Sequence, residues 1–73
     1  MQTATAQTGA NVRAEIARRG MTQAAISECI GVSQSQLSKR LQGRIPFNVN
    51  ELAAIASALD VPLSDLIPRE PAA

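Results

Sequence analysis

Hydrophobic residues recur at spacings of three and four positions along most of the chain. Val12 and Ile16 lie four positions apart, with charged residues between them. A longer series near the C-terminus, at positions i, i+3, i+4 and i+7, consists of Leu52, Ile55, Ala56 and Leu59. This period places apolar side chains on one face of an α-helix, whereas a half-buried strand would alternate. The pattern therefore predicts an all-α protein.

The first helix is predicted to begin with Thr8 as its N-cap and to run to Arg19. Gly20 follows at the position where a helix end favours a left-handed residue. Residues 1–7 are small and polar and show no helical period. We expect them to form a flexible N-terminal arm.

Three further helix starts are indicated by the capping residues Thr22, Ser33 and Asn48. Each cap is flanked by two apolar residues spaced as in a hydrophobic staple, namely Met21 with Ile26, Val32 with Leu37, and Phe47 with Leu52. Gln36 and Glu51 stand three residues after Ser33 and Asn48, where a capping box has its Gln or Glu. Local sequence thus predicts where the second, third and fourth helices begin.

A last short helix is predicted from about Pro62, whose fixed φ suits a first turn. Its apolar residues, which we expect to face the core, are Leu63, Leu66 and Ile67. Residues 68–73 have no core face and are predicted to be a flexible C-terminal tail. The predicted domain covers residues 8–67 and is a compact bundle of five short helices.

Composition agrees with a small helical core. The chain has 73 residues, 45% of them hydrophobic, and a single aromatic residue, Phe47, so aliphatic side chains must fill one domain. The one cysteine, Cys29, cannot form an internal disulfide. No apolar run approaches the ~18 residues that span a bilayer, and no signal-peptide pattern opens the chain. We expect a cytoplasmic protein without a membrane partner.

Charge is unevenly distributed along the chain. Residues 8–44 contain six basic and two acidic residues, whereas residues 45–73 contain one basic and four acidic residues. The overall charge of +1 hides this asymmetry. A basic N-terminal part suits contact with a polyanion, and the alternative is a solvated surface of mixed charge.

Residues 23–42 have the length of a helix-turn-helix unit, with its turn at Gly31. The apolar seam expected to fix the angle between the two helices consists of Ile26, Ile30, Val32, Leu37 and Leu41. The outward positions of the second helix are Gln34, Ser35, Ser38 and Lys39, with Gln36 and Arg40 at the flanks. No carboxylate occurs from residue 31 to 47, which suits a surface facing phosphate. In a major groove, Gln can pair with adenine and Lys with guanine.

The stretch TQAAISECIGVSQSQLSKRLQGRIPFNVNELAAIASALDVPLSDL resembles the helix-turn-helix domain of phage repressors, Cro-type proteins and the XRE family of transcription regulators. The similarity covers residues 12–67 and includes the Gly31-Val32-Ser33 turn and Gly43 after the second helix of the unit. The resemblance implies a lambda-repressor-like fold. It also implies a sequence-specific regulator, of phage or prophage repressor type, that inserts residues 33–41 in the major groove of double-stranded DNA.

The resemblance further implies roles for individual residues. Positions that touch base edges are matched by Gln34, Ser35 and Lys39, and Ser38 is expected beside them, on a base or the backbone. Positions that bind phosphate are matched by Gln23, Arg44 and Asn48. Arg40 is added to the phosphate set, although many members of the family have an aliphatic residue there. Ser27 replaces a usual Ala, and its hydroxyl is expected to bond to the carbonyl four residues earlier.

No residues suggest an enzyme, a cofactor or a metal. Cys29 has no second cysteine, and the chain has no histidine to activate it or to share a metal. We expect Cys29 to be a half-buried helix residue. Glu15, Glu28 and Glu51 are assigned to charged faces or capping rather than to acid and base catalysis. No small-molecule substrate is therefore expected.

The sequence leaves alternatives for the function and for the assembly on DNA. The alternative function is an antitoxin-like protein-interaction module with autoregulatory DNA binding, which would need a toxin-wrapping extension longer than the C-terminal segment. For the assembly on DNA, the chain could form a weak homodimer through Leu63, Leu66 and Ile67, bind as a monomer, or be the N-terminal domain of a longer repressor.

Overall fold

The computed structural model describes residues 3–68, which form four α-helices and one turn of 3₁₀ helix. The helices are α1 (Ala4–Arg18), α2 (Gln23–Ile30), α3 (Gln34–Leu41) and α4 (Val49–Leu59), and the 3₁₀ turn is Leu63–Asp65. No strand occurs within residues 3–68. The predicted all-α class is confirmed, with the difference that the fifth helix is a single 3₁₀ turn.

The core consists of aliphatic side chains contributed by all four helices and the segment after α4. Its members are Val12, Ile16, Ile26, Leu37, Leu41, Leu52, Ile55, Ala56, Leu59, Val61 and Leu66. The edge of this core is covered by the partly buried Met21, Ile30, Val32 and Phe47. Burying each large side chain stabilises the fold by roughly 1.5–3 kcal/mol. All five residues of the predicted seam between α2 and α3 thus lie in the core or at its edge.

The predicted caps of α2, α3 and α4 are confirmed. The side-chain oxygens of Thr22, Ser33 and Asn48 each accept a hydrogen bond from the backbone N–H three residues later, at 3.0, 3.1 and 2.7 Å. Glu51 completes the capping box of α4, because the Asn48 N–H donates to its Oε1 at 3.1 Å. The box predicted for α3 is wrong. The side-chain oxygen of Gln36 instead accepts a hydrogen bond from Arg40, a charged and therefore stronger donor.

The turn between α2 and α3 has three residues, 31–33. Gly31 adopts φ 71°, a left-handed conformation that a side chain would strain. The N–H of Gly31 donates to the Glu28 carbonyl, and the N–H of Val32 donates to the Ser27 carbonyl. This Schellman ending satisfies carbonyls in the last turn of α2 and ends the helix at Gly31.

Helix α1 begins at Ala4, with Thr3 as its N-cap. The predicted start at Thr8 is therefore wrong, and residues 4–7 of the predicted arm are helical; residues 1 and 2 lie outside the described range. Thr8 and Gly9 are buried in the middle of α1. Five more residues, 4–8, join the helix, and this part of α1 has a packing partner that its own sequence does not show.

That partner is the C-terminal end of α3. A Cβ atom placed on Gly9 would lie 2.6 Å from the Leu41 carbonyl oxygen and 2.7 Å from that of Arg40. One turn earlier in α1, Ala6 approaches Gly43 so closely that a Cβ on Gly43 would lie 2.6 Å from the Ala6 Cα. Backbones this close require small residues, so α1 is held against the end of α3 by Ala6, Gly9 and Gly43.

The segment after α4 buries one of its three predicted core residues. Leu66 is fully buried, whereas Leu63 is 38% and Ile67 41% exposed. Core burial is therefore confirmed for Leu66 and wrong for Leu63 and Ile67, because a single turn directs only one large side chain under the bundle. The Asn11 amide donates to the Leu66 carbonyl at 3.4 Å and ties the segment to α1.

Within residues 3–68, no helix has both the length and the apolar character needed to cross a membrane. The predicted tail, apart from Pro68, lies outside the described residues.

Candidate nucleic-acid interface

The side chains of α3 lie on three faces of the helix. Leu37 and Leu41 are buried and form the core face. With about 100° between successive residues, the other positions separate into two groups on either side of that face. The reading face, over an arc of roughly 140°, carries Gln34, Ser35, Ser38 and Lys39, and the flank carries Gln36 and Arg40. The structure therefore brings the four predicted base-reading residues onto one face.

The reading face is available to an outside partner. Gln34 and Ser35 are exposed, and among residues 3–68 neither side chain forms a hydrogen bond to the protein. The Ser38 hydroxyl accepts a hydrogen bond from Gln42 Nε2 at 3.2 Å, which leaves its own proton free to donate. Lys39 is partly exposed and has no carboxylate within 4.0 Å in the described part of the chain. These groups match the donors and acceptors of base edges.

The predicted phosphate-binding residues lie at helix and loop ends. Gln23 is the exposed first residue of α2. Asn48 caps α4 with its oxygen, so its amide nitrogen keeps its two protons for a ligand. Arg44 is exposed, and its backbone N–H donates to the Lys39 carbonyl at 2.9 Å. This last bond fixes the Arg44 backbone to the end of α3.

Arg40 differs from the other phosphate candidates because it is already bound. Its Nε and Nη2 donate to the two carboxylate oxygens of Glu51 at 3.2 and 3.4 Å. Its Nη1 donates to the Gln36 carbonyl at 3.1 Å and to the Gln36 side chain at 3.3 Å. The side chains of Arg40 and Glu51 are only 14% and 11% exposed. The predicted phosphate contact of Arg40 would have to compete with this ion pair.

A second ion-paired cluster lies on α1. Glu15 is buried, only 6% exposed, and contacts both Arg18 and Arg19, the latter at 3.9 Å. Its predicted place on a charged surface is therefore wrong. The apolar neighbours Val12 and Ile16 bring Glu15 to the edge of the core, and its charge is offset by Arg18 in the last turn of α1 and by the C-cap residue Arg19.

Ion pairs within residues 3–68 reduce the number of basic side chains that are available to an anionic ligand. Of the six basic residues between positions 8 and 44, three are paired with Glu15 or Glu51. Those with no carboxylate within 4.0 Å in residues 3–68 are Arg13, Lys39 and Arg44. Two of these three, Lys39 and Arg44, lie on or next to the reading face. Chain charge alone therefore overstates the positive surface near α3.

Two smaller predictions concern α2. Ser27 is buried, and its hydroxyl donates to the Ala24 carbonyl at 2.8 Å, three residues earlier rather than four. Cys29 is exposed rather than half-buried, and its Sγ lies 3.7 Å from the Ala54 carbonyl oxygen of α4. Neither residue adds to the reading face.

A family model described as helix-turn-helix, HTH_3, matches residues 12–66. The chain belongs to this XRE-type helix-turn-helix family. It is accordingly a DNA-binding transcriptional regulator. The matched residues of this helix-turn-helix protein include α2, the three-residue turn and all of α3, which carries the reading face. No curated protein matches the chain significantly.

Solved structures share the fold of this helix-turn-helix protein. It is similar to the clp gene regulator ClgR from C. glutamicum, with 27% identity, a TM-score of 0.82, and coverage of 90% of this chain and 86% of that chain. It is also similar to the restriction-modification controller protein C.AhdI from Aeromonas hydrophila, with 19% identity and a TM-score of 0.76. That match covers 85% of this chain and 94% of C.AhdI.

An enzyme also contains this fold as one part. Hydroxypropylphosphonic acid epoxidase from S. wedmorenis matches with 19% identity and a TM-score of 0.80. The match covers 92% of this chain and 36% of the epoxidase. At this identity the likeness concerns the fold alone.

Proposed function

We propose that the chain is a sequence-specific regulator, of phage or prophage repressor type, that inserts α3 in the major groove of double-stranded DNA. The observation that carries the proposal is the reading face of α3. Four polar side chains lie together on one side of the core face; Gln34 and Ser35 are exposed, and neither makes a hydrogen bond to the protein in residues 3–68. A helix of this diameter fits the major groove, where base edges offer complementary groups.

Recognition would combine positioning with base reading. The Gln34 amide suits the N6 and N7 groups of adenine, and the Lys39 ammonium suits the O6 and N7 acceptors of guanine. Ser35 and Ser38 add short, adaptable donors. Phosphates would be bound by Gln23, Arg44 and the free amide protons of Asn48, together with N–H groups at the starts of α2 and α4.

The similarity to ClgR supports the regulatory part of this proposal, because that protein is described as a clp gene regulator. An enzymatic role is not proposed. The epoxidase that contains the same fold extends well beyond it, since the chain covers only 36% of that protein.

The proposal is tested by selecting binding sites from random duplex DNA with the purified protein. We expect a short motif to be enriched. Gln34→Ala and Lys39→Ala should each cost ~1–3 kcal/mol at one base position and relax the preference there. Arg44→Ala should weaken binding to all sequences alike.

Arg13→Ala is the matched control, because Arg13 is an exposed arginine on α1 that lies outside the reading face. It should change neither affinity nor preference. Selection that enriches no motif would overturn the proposal. Equal losses on every sequence from Gln34→Ala, Lys39→Ala and Arg44→Ala would mean that the bases are read by another surface.

A further inference from the structure

The ion pair between Arg40 and Glu51 connects two elements that the proposed function uses separately. Arg40 lies on the flank of α3, off the reading face. Glu51 lies in the first turn of α4, next to the predicted phosphate contact at Asn48. Among residues 3–68, the side-chain hydrogen bonds that link α3 to α4 are the two that Arg40 donates to Glu51.

One carboxylate serves both elements. Glu51 Oε1 accepts the hydrogen bond of Arg40 Nε at 3.2 Å and that of the Asn48 N–H at 3.1 Å. The Arg40 guanidinium is held at its other end by two oxygens of Gln36, one turn earlier in α3. An unbroken set of hydrogen bonds therefore runs from Gln36, in the first turn of α3, to the N-cap of α4.

The Arg40–Glu51 pair contacts α3 on a side of the helix that has no buried residue. The buried residues of α3 are Leu37 and Leu41, and α3 packs chiefly against α1 and α2. Rotation of α3 about its own axis would turn the reading face away from the bases, and the packing of the two leucines opposes it from the core side only. A bidentate arginine–carboxylate pair resists such rotation because its two parallel hydrogen bonds demand one geometry.

Direct binding of Arg40 to phosphate would disrupt this arrangement. The guanidinium would have to leave both carboxylate oxygens, and Glu51, whose side chain is 11% exposed, would keep its charge with no ion partner and only the Asn48 N–H as a hydrogen-bond donor. An uncompensated charge in that setting is strongly unfavourable. Lys39 and Arg44 offer the DNA positive charge without such a cost.

We propose that Arg40 is a positioning residue that sets the orientation of α3 relative to the N-terminus of α4 through Glu51, and that it does not contact DNA. The inference rests on the proposed function, because it concerns how base reading by α3 is kept in register with phosphate binding at Asn48. The resulting specificity depends on the pair rather than on either charge alone.

The test compares binding to the selected site with binding to a scrambled duplex over a salt titration, for the wild-type chain and three variants. Arg40→Met keeps the aliphatic stem, Arg40→Lys keeps the charge, and Glu51→Gln keeps an acceptor for the Asn48 N–H. We expect each to lower the ratio of specific to non-specific affinity by roughly fivefold or more, as for members of one network. Arg40→Lys should not restore the wild-type ratio of affinities, since an ammonium group cannot form the bidentate pair with Glu51.

Two further readouts separate positioning from phosphate contact. The salt slope should be unchanged in Arg40→Met, whereas losing a phosphate contact would reduce it by about one. The double variant Arg40→Met/Glu51→Gln should lose no more specificity than either single variant, because both remove the same link. Glu51→Gln also covers the case in which the Arg40 variants do not fold, which far-UV circular dichroism would reveal.

The inference is overturned if Arg40→Met keeps the specificity ratio, if its salt slope falls by about one, or if Arg40→Lys restores wild-type binding. It is also overturned if Glu51→Gln strengthens binding to all DNA, which would indicate an arginine released to bind phosphate. Any of these results, with a motif still enriched by the wild-type chain, contradicts the inference and leaves the proposed function standing. A wild-type chain that enriches no motif contradicts both.

Discussion

Replacing Gly9 by alanine should destabilise the protein, although the same replacement usually stabilises a helix. In the interior of a helix, alanine is favoured over glycine by about 1 kcal/mol. At Gly9, the new Cβ would lie 2.6 and 2.7 Å from two carbonyl oxygens of α3. These are backbone atoms that cannot rotate away, so α1 and α3 must separate by about 0.8 Å to restore a 3.4 Å contact.

The size of the effect follows from these opposing contributions. Overpacking typically costs 1–3 kcal/mol, and the rigid neighbours place Gly9→Ala near the upper end of that range. After the gain of about 1 kcal/mol in helix propensity, the net loss is ~2 kcal/mol. A domain of this length has roughly 7 kcal/mol of stability in total, so the loss is substantial.

The free energy of unfolding is measured by urea titration. Far-UV circular dichroism is the suitable signal, because the chain contains no tryptophan or tyrosine. With a slope near 1 kcal/mol per molar urea, the midpoint should fall by about 2 M. Ala17→Gly, on the exposed side of the last turn of α1, is the matched control and should cost no more than the interior propensity difference of about 1 kcal/mol. A midpoint for Gly9→Ala equal to or above that of the wild type would refute the close contact between α1 and α3.

Two other predictions concern the C-terminal segment and the charges of the interface. Leu66→Ala should destabilise the fold by ~2–5 kcal/mol in the same urea titration. Leu63→Ala, in the same segment but 38% exposed, should cost under about 1 kcal/mol. Equal losses of stability would contradict the assignment of Leu66 alone to the core. Non-specific DNA affinity should fall with salt at a log–log slope of only about −1.8 per bound copy, since Lys39 and Arg44 are the two cations near α3 without an ion pair in residues 3–68. A slope steeper than about −3 by fluorescence anisotropy would show that the paired arginines also bind phosphate.

Most features that depend on neighbours in the sequence could be predicted from it; the exceptions are the capping box at Gln36 and the N-cap Thr3. The caps Thr22, Ser33 and Asn48 act on N–H groups three residues away, and Gly31 ends α2 through bonds within five residues. The apolar period identified the core face of α4 for the same reason. Local chemistry was therefore enough for the helix-turn-helix unit and for the reading face of α3.

Features that depend on distant residues could not be predicted. The first turns of α1, although capped locally by Thr3, pack against Gly43 and the end of α3, more than thirty residues away. The pairing of Arg40 with Glu51 crosses eleven residues and two helices. Its only sequence signal is a charged residue at a position that is aliphatic in many members of the family. Whether Gln34, Ser35 and Lys39 read bases stays a prediction.

The shortness of α3 limits how much information it can read. Eight residues make a helix about 12 Å long, which spans roughly four base pairs at 3.4 Å per step. Four base pairs carry about 8 bits, so a matching site occurs by chance about once in 256 positions, or some 4,000 times per million. Two such helices on neighbouring half-sites would read about 16 bits and reduce chance matches to roughly 15 per million. A single copy that reads four base pairs would therefore match many sites by chance. Selectivity on a chromosome must come from a second copy, an additional element that contacts bases, or DNA shape.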